Sequence, residues 1–266
     1  MKRILVIADL HCGHVAGLTP PRWQISPGSE KNSTKREKFA AFQKEAWNWY
    51  VRKTSAHGPY DVVVCNGDAI DGRGERSGGT ELIVSDREEQ CDMATYCIQR
   101  VMGRKTKLIM TYGTAYHTGD KEDWEGGIAK GLNGKIGAHE WIDAEGVVFD
   151  LKHHIGSSDV PYGRHTQSAK QALWSLLWAE QALTPKADIL LRSHVHYLQA
   201  CLDEAMRPEW RFTTPALQGM GSKFGARRCS GVVSFGFLVF EVRRGRYDWH
   251  KVTEKLKSSV AKAIKV

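Results

Sequence analysis

Arg3-Ile-Leu-Val-Ile-Ala-Asp9-Leu-His11 is the stretch of sequence that decides the fold. Its short apolar run, rich in Ile and Val, is typical of a strand buried in a parallel sheet. A carboxylate and an imidazole follow the run directly. Because the carboxyl ends of parallel strands meet along one rim of the sheet, such side chains converge there. The stretch therefore predicts the first strand of an α/β sheet, with chemistry at its carboxyl end.

Four further clusters of histidines and carboxylates each follow a short apolar run in the same way. They read Gly67-Asp68-Ala-Ile-Asp71-Gly72, Gly113-Thr-Ala-Tyr-His117, His153-His154 and Ser193-His194-Val-His196. Imidazoles and carboxylates that converge on one rim suit a divalent transition-metal site, and two ions can be held when one aspartate bridges them. The pattern predicts a metal-dependent hydrolase.

Strands and helices alternate along most of the chain, and consecutive strands follow. We predict strands over residues 3–8, 61–65, 107–112, 147–152, 187–191 and 232–242, and helices over 35–54, 85–102, 121–131 and 166–183. The last helix is expected to bury an apolar stripe formed by Ala169, Leu173, Leu176, Leu177 and Leu183. This order indicates a mixed sheet flanked by helices, or two stacked sheets, and residues 1–266 are expected to form one domain.

The composition is that of a soluble globular protein, with 266 residues of which 41% are hydrophobic. No apolar stretch approaches the roughly 20 residues that cross a bilayer, and the first apolar run is too short for a signal-peptide core. The six cysteines form no C-x-x-C pair, which favours a reducing, cytoplasmic location. The net charge of +8 indicates either an anionic partner or a solvated basic surface.

The spacing of residues within each cluster indicates which side chains can ligate the same ion. Two residues separated by one on a strand point to the same face, so Asp9 and His11 are expected to ligate one ion. The same argument pairs His194 with His196. His153 and His154 are adjacent and point to opposite faces, so only one of them can easily ligate, and both stay open at this point.

The order of these motifs resembles that of the calcineurin-like metallophosphoesterases over residues 9 to 196, where the family has D-x-H, G-D-x-x-D, G-N-H, H and G-H-x-H. The resemblance implies a four-layer α/β/β/α sandwich of two mixed β-sheets flanked by helices, with two metals at the strand ends. It implies that the first ion is held by Asp9, His11 and His196, that Asp68 bridges both ions, and that the second is held by His153 and His194. By the same resemblance, His117 protonates the leaving group or stabilises the transition state.

The third motif departs from the family pattern. Gly-Asn-His is replaced by Gly113-Thr-Ala-Tyr-His117, so the asparagine expected on the second metal is absent. Thr114, Asn66 or water can take its place, and a site with one tightly held ion stays open. The family patterns favour His153 over His154 as the ligand. This G-T-x-x-H motif also resembles that of calcineurin-like proteins carried by bacteriophages and prophages.

Two divalent ions joined by one carboxylate would bind a phosphate and supply a metal-bound hydroxide in line with phosphorus. A protonated His117 would neutralise the leaving alkoxide, and Arg73 would clamp a non-bridging phosphate oxygen. Mn²⁺ is the favoured ion, and Zn²⁺, Fe, Ni²⁺ and Co²⁺ suit the same ligands.

We therefore predict a phosphodiesterase or nuclease-like hydrolase. The positive charge and the long loop over residues 15–34 favour a nucleotide or nucleic-acid substrate. One alternative is a non-catalytic, metal-stabilised protein that binds nucleic acid or belongs to a larger assembly. A phosphomonoesterase is a lesser alternative. A protein phosphatase is a minor one, because Gly72 interrupts the G-D-x-x-D-R-G pattern before Arg73.

Overall fold

A computed structural model describes residues 1–28, 34–119, 122–220 and 232–259, without the side chains of 34–38, 76 and 259. Two mixed β-sheets pack face to face, and helices cover their outer faces. The predicted fold class, an α/β/β/α sandwich, is confirmed. Among the described residues, no helix combines the length and the apolar character that crossing a bilayer requires.

The first sheet has six strands. In spatial order they are β11 (Arg246–Glu254), β10 (Phe235–Arg243), β1 (Lys2–Ile7), β2 (Val62–Asn66), β3 (Lys107–Thr111) and β4 (Lys135–Gly137). Strands β1 to β4 pair in parallel, whereas β10 pairs antiparallel with both β1 and β11. Every strand predicted before residue 113 belongs to this parallel part, and β10 is the run predicted over 232–242.

The second sheet has five strands and is also mixed. In spatial order they are β5 (Glu140–Ala144), β6 (Val147–Leu151), β7 (Ile189–Arg192), β9 (Trp210–Thr213) and β8 (Gln199–Leu202). The strands predicted over 147–152 and 187–191 are β6 and β7, which run parallel to each other.

Five α-helices lie in the described residues: α1 (Thr34–His57), α2 (Arg87–Gln99), α3 (Ala115–Thr118), α4 (Trp124–Gly131) and α5 (Gly163–Glu180). Four of them are the predicted helices with shifted ends, whereas the short α3 was not predicted. The Asp86 side chain caps α2 by accepting from the backbone N–H of Glu88 at 2.8 Å. An acceptor at this position satisfies one of the free N–H groups of the first turn, and α2 therefore begins there.

Strand β1 is buried on both faces, as its continuous apolar sequence predicts. Ile4 and Val6 face the core between the sheets, whereas Leu5 and Ile7 face the core under the helices. Alternate side chains of a strand point to opposite faces, so one strand serves both cores. Between the sheets, β1 packs with side chains from both sheets, including Val64, Phe149, Leu191, Phe212 and Phe240.

The predicted buried stripe of α5 is wrong. Leu173 is 47% exposed and Leu177 is 40% exposed, whereas the buried residues of the helix are Ser168, Ala172 and Ser175. The reason lies in the residues beneath the helix, as the hydroxyl of Ser175 shows by donating to a carboxylate oxygen of the second sheet at 2.9 Å. A charged patch of sheet favours a small, polar helix face over leucines.

That carboxylate belongs to Asp150, which forms a fully buried ion pair with Arg192 at 2.7 Å. The ring of His139 lies 2.7 Å from the same carboxylate oxygen. Burial raises the pKa of Asp150, but the Arg192 guanidinium and the His139 imidazole outweigh it and hold this pKa well below its usual range. Asp150 is therefore ionised at neutral pH, and its charge is balanced locally.

Breaking this pair will destabilise the fold more than breaking an exposed one. Asp150→Asn keeps the shape of the side chain but leaves the Arg192 cation buried without a counterion, which costs about 3–5 kcal/mol. Urea denaturation at pH 7 measures this loss as a fall in the free energy of unfolding. Lys186→Gln is the control, because the Glu180–Lys186 pair is more than 60% exposed on both sides and its loss stays within about 0.5 kcal/mol. Equal losses in the two variants would contradict the prediction.

Candidate metal centre

The loops that leave β1, β2, β6 and β7 meet at one edge of the sandwich. Backbone hydrogen bonds join the first two loops, from Asp9 N to Gly67 O and from His11 N to Asp68 O, each at 3.0 Å. The second sheet joins them where the backbone N–H of His194 donates to Asp9 Oδ2 at 3.3 Å. The predicted convergence of the clusters on one rim is thus present in the structure.

The backbone at this edge is left-handed, which corrects the strand-alternation argument. β1 ends at Ile7 and β7 ends at Arg192, so the histidines and aspartates lie beyond the strands. Five of them have positive φ: Asp9 (51°), His11 (44°), Asp68 (51°), His194 (73°) and His196 (56°). Such a conformation costs about 1–3 kcal/mol for a non-glycine residue and persists only where the surroundings impose it. Left-handed turns, and not strand pleating, therefore aim these side chains.

The first group of possible ligands consists of Asp9, His11 and His196. His196 Nε2 lies 3.2 Å from Asp9 Oδ1 and 3.3 Å from His11 Nε2. Burial raises the pKa of Asp9, but the facing His196 imidazole outweighs it and the pKa lies below its usual value. Asp9 Oδ1 is buried and has no hydrogen-bond partner among the described residues. An ionised, buried oxygen without a donor fits a cation ligand.

The second group consists of Asp68, His153 and His194. His153 Nδ1 lies 2.7 Å from the carbonyl oxygen of Asn66. A carbonyl only accepts, so Nδ1 carries the hydrogen and Nε2 faces the group. Nε2 lies 3.0 Å from Asp68 Oδ2, but without hydrogen-bond geometry. This second buried atom without a partner also fits a cation ligand.

Asp68 links the two groups. Its Oδ2 lies 3.0 Å from His153 Nε2 and 3.9 Å from His11 Nε2, which belong to different groups. His194 and His196 are likewise divided between the groups, so the spacing argument that paired them on one ion does not hold. One carboxylate that reaches both groups is the arrangement that two neighbouring cations require.

Charges at the site agree with cation binding. Burial lowers the pKa of His11, and burial together with the facing His153 lowers that of His194 to about 4. Burial opposes the charged form of His153, but Asp68 outweighs it and raises the pKa to about 10. The proton on His153 thus balances the buried carboxylate. A divalent cation would take the place of that proton, because a ligating imidazole must be neutral. The donor set of imidazoles and carboxylates fits a divalent transition metal.

Asp71 orients two histidines. Its Oδ1 lies 3.0 Å from His11 Nδ1, and its backbone carbonyl oxygen lies 2.8 Å from His117 Nδ1. The rings of His11 and His117 are 4.5 Å apart, so His117 lies directly beside the first group. Asp71, His11 and His117 also lie close enough together to form a further ligand group. The contact of Asp71 with His11 Nδ1 is, however, that of a residue that fixes a ligand's ring from behind.

His153, and not His154, belongs to the second group. His154 is exposed, and its ring lies 4.8 Å from that of His194 without entering the group. Neighbouring residues of an extended chain point to opposite sides, so a single chain direction cannot bring both imidazoles to the same cation. Of the two histidines, His153 is thus the one that lies within the group, and ligation by His154 stays a prediction.

Arg73 lies at the wall of a cleft beside the groups. The cleft encloses about 530 Å³, and Tyr116 and His117 also line it. The Arg73 side chain is 60% exposed, and its Nη2 lies 3.6 Å from Glu122 Oε1. Its guanidinium therefore shares the cleft with His117 and, among the described residues, pairs with Glu122 and with neither ligand group.

Thr114 occupies the sequence position of the missing asparagine, and it contacts the carboxylate of Asp68. Its backbone N–H donates to Asp68 Oδ1 at 2.7 Å, and its hydroxyl donates to the same oxygen at 3.2 Å. Asn66 does not take the asparagine's role, because its amide donates to Ser193 Oγ at 2.6 Å and accepts from Thr111 Oγ1 at 2.8 Å. The third motif therefore orients Asp68.

Sequence reasoning missed Glu125, a fully buried carboxylate at the start of α4. It accepts from the backbone N–H groups of Ala69 at 2.8 Å and Gly113 at 2.7 Å, and so ties the second motif to the third. Burial and the nearby charge of Asp68 raise its pKa to about 7. An acidic residue in the first turn of a helix is ordinary, so no signal in the sequence distinguished it.

Glu125→Gln will loosen the site. The amide nitrogen of glutamine cannot accept from a backbone N–H, so one of the two loops loses its partner and the position of Asp68 relaxes. Loss of a residue that orients ligands lowers metal affinity by about 10–100-fold, which calorimetric titration with Mn²⁺ measures. Glu122→Gln is the matched control, since this carboxylate lies in the same segment and contacts only Arg73, Arg87 and Trp124 among the described residues. Unchanged affinity in Glu125→Gln would contradict the prediction.

The chain is similar to several solved structures at low identity. No protein-family model and no curated protein sequence matches it. Vps29 of Entamoeba histolytica complexed with Zn²⁺ is 14% identical, with 94% of this chain and 98% of that chain covered and a TM-score of 0.43. A novel archaeal phosphodiesterase is 10% identical, with 94% and 99% covered and a TM-score of 0.42. The NAD nucleotidase of Haemophilus influenzae is 10% identical, with 96% and 50% covered and a TM-score of 0.44. Similarity at this level establishes neither a family nor an activity for this chain.

Proposed function

We propose that the chain is a metal-dependent phosphoesterase that acts on phosphodiesters. The observation that carries the proposal is the pair of adjacent ligand groups that share Asp68, with His117 next to the first group and an open cleft beside it. Two buried atoms without partners, Asp9 Oδ1 and His153 Nε2, support cation binding at both groups.

In this proposal Asp9, His11 and His196 hold one cation, His153 and His194 hold the other, and Asp68 bridges them. When bound, the two cations supply a nucleophile by lowering the pKa of water, and they neutralise charge on the phosphate. Mn²⁺ is the proposed ion, and Zn²⁺, Fe, Ni²⁺ or Co²⁺ would fit the same donors. We also propose that the chain is of the variant of the calcineurin-like family that bacteriophages and prophages carry, because its third motif reads G-T-x-x-H.

His117 would handle the leaving group. Its Nδ1 faces the carbonyl oxygen of Asp71, which only accepts, so Nδ1 carries a hydrogen and Nε2 is the nitrogen that can lend a proton. Arg73 lines the same cleft and has an exposed guanidinium that can bind a non-bridging oxygen of the phosphate. The bound diester is thereby oriented with its leaving oxygen towards His117.

A nucleotide or nucleic acid is the proposed substrate class. The net charge of +8 favours a polyanion, and Tyr116 at the wall of the cleft offers a ring on which a base can stack. A cytoplasmic location is part of the same proposal. Phosphomonoesters are the lesser alternative.

Asp68→Asn will abolish turnover. Asparagine cannot bridge two cations with a charged oxygen, so hydrolysis of bis(p-nitrophenyl) phosphate by Mn²⁺-loaded protein should fall to background, while the circular dichroism spectrum stays that of the wild type. Asp92→Asn is the control, because it removes an exposed carboxylate from α2. The site assignment is wrong if Asp68→Asn retains turnover.

His117→Gln tests whether His117 donates a proton to the leaving group or only stabilises the transition state. A general acid contributes about 10²–10⁴-fold to the rate when the leaving group needs a proton. We therefore expect kcat to fall by that factor for a diester with an alkyl leaving group, and little for a nitrophenyl diester, whose leaving group departs without one. Equal losses for both substrates would contradict the role as proton donor, and calorimetric titration checks that metal affinity is retained.

The replaced asparagine favours one second candidate, a metal-stabilised binding protein without activity. Such a protein would hydrolyse neither diester nor monoester with any of the metals. Its melting temperature would nevertheless rise on addition of metal, because a cation that binds only the folded state stabilises it. Hydrolysis of either ester by metal-stripped protein after Mn²⁺ is restored would exclude this candidate.

A further inference from the structure

Helix α5 exposes large apolar side chains to solvent and packs small residues against the sheet, which is unfavourable for an isolated chain. The residues that it buries are small, namely Ser168, Ala172 and Ser175. Leu173 is 47% exposed, Trp174 45% and Leu177 40%. Removal of apolar side chains from water is favourable, so these three exposed side chains leave stabilisation unused in the isolated chain.

The three exposed side chains form one surface, which we call the α5 patch. Residues three and four apart are neighbours on a helix, so Leu173 and Leu177 lie one above the other, with Trp174 at their side. The ring of Trp178 lies 5.9 Å from that of Trp174 and extends the patch. Contiguous exposed apolar surface with a polar rim is typical of sites that bind another protein.

The charges at the rim are self-complementary. Lys170 and Glu180 are exposed at the two ends of the patch. With a rise of about 1.5 Å per residue, they lie about 7.5 Å on either side of Ser175, and Leu173 and Leu177 lie about 3 Å on either side. A second α5 can run antiparallel to the first, related by a two-fold axis that crosses the patch level with Ser175 along the helix. This arrangement sets Leu173 against the partner's Leu177 and Lys170 against the partner's Glu180.

We propose that the α5 patch is a homodimer interface in which two copies of this chain pack their α5 helices antiparallel. A two-fold interface uses the same surface on both copies, which is what the symmetric order Lys170, Leu173, Leu177, Glu180 provides. Within its own chain Glu180 lies 3.6 Å from Lys186, but both side chains are more than 60% exposed. Such a pair is weak, so Glu180 can also pair across the interface. The interface contains no residue of the metal centre and is independent of the proposed activity.

The interface is expected to be weak. One helix from each copy buries less than the roughly 800 Å² per partner of a standard interface, so we expect a dissociation constant in the micromolar range. Sedimentation velocity across a wide range of protein concentrations should show the wild type passing from monomer to dimer. A wild type that stays monomeric at every concentration would overturn the proposal.

Charge reversal tests the antiparallel register. Lys170→Glu and Glu180→Lys each place like charges against each other twice in a two-fold interface, so each should raise the dissociation constant by about tenfold or more. The double variant Lys170→Glu/Glu180→Lys restores opposite charges and should return the dissociation constant to near the wild-type value. Lys130→Glu is the control, since it makes the same change of charge on exposed α4 surface.

Leu177→Asp tests the apolar contact and should leave the protein monomeric with an unchanged circular dichroism spectrum, because the side chain is exposed in the monomer. A dimer that survives Leu177→Asp would overturn the proposal. So would a double charge variant that fails to restore the dimer, because the register would then be different.

Discussion

The contact between Asp68 of the first sheet and His153 of the second is the point on which the site depends. It joins β2 to the loop after β6 at the edge of the two-sheet core, with 3.0 Å between Oδ2 and Nε2. Both residues are buried, and a buried charge is tolerated only when other groups balance it. Thr114 donates to the other oxygen of Asp68, and Glu125 holds the backbone on both sides of that contact. The sheets thus meet where a carboxylate is held in one position from several directions.

The backbone around this contact is held in place by the protein itself. Parallel pairing of β1 with β2 continues past the strands as hydrogen bonds from Asp9 N to Gly67 O and from His11 N to Asp68 O. These bonds pull the chain into left-handed turns that a strand would not adopt, and the buried cores on either side offset the cost. A ligand set fixed in this way needs little rearrangement to receive a cation, which is the condition for geometric selectivity at a metal site.

Sequence reasoning succeeded for features that neighbouring residues determine. It failed for features that depend on contacts between residues far apart in the chain. The apolar runs around Ile4 and Val63 predict strands because burial on both faces leaves a continuous apolar sequence. The convergence of Asp9 with Asp68 follows from the parallel arrangement of β1 and β2, whose carboxyl ends lie at one edge of the same sheet. By contrast, the division of His194 and His196 between two groups depends on positive φ values that no spacing rule anticipates. Glu125 could not be found either, because its role depends on backbone groups 12 and 56 residues away.

The exposure of the apolar side chains of α5 likewise depends on residues far away in the chain. Amphipathic helices are predicted to bury their apolar stripe, on the assumption that the surface beneath them is apolar. Under α5 that surface carries the buried Asp150–Arg192 pair. Ser175 donates to the second carboxylate oxygen of Asp150, and Gln171 accepts from Arg192 Nε. The helix must therefore turn its small polar residues inward, and its leucines face the solvent. Apolar side chains that the chain's own core does not cover stay in contact with water. Contact with another molecule would remove them from water, which is favourable.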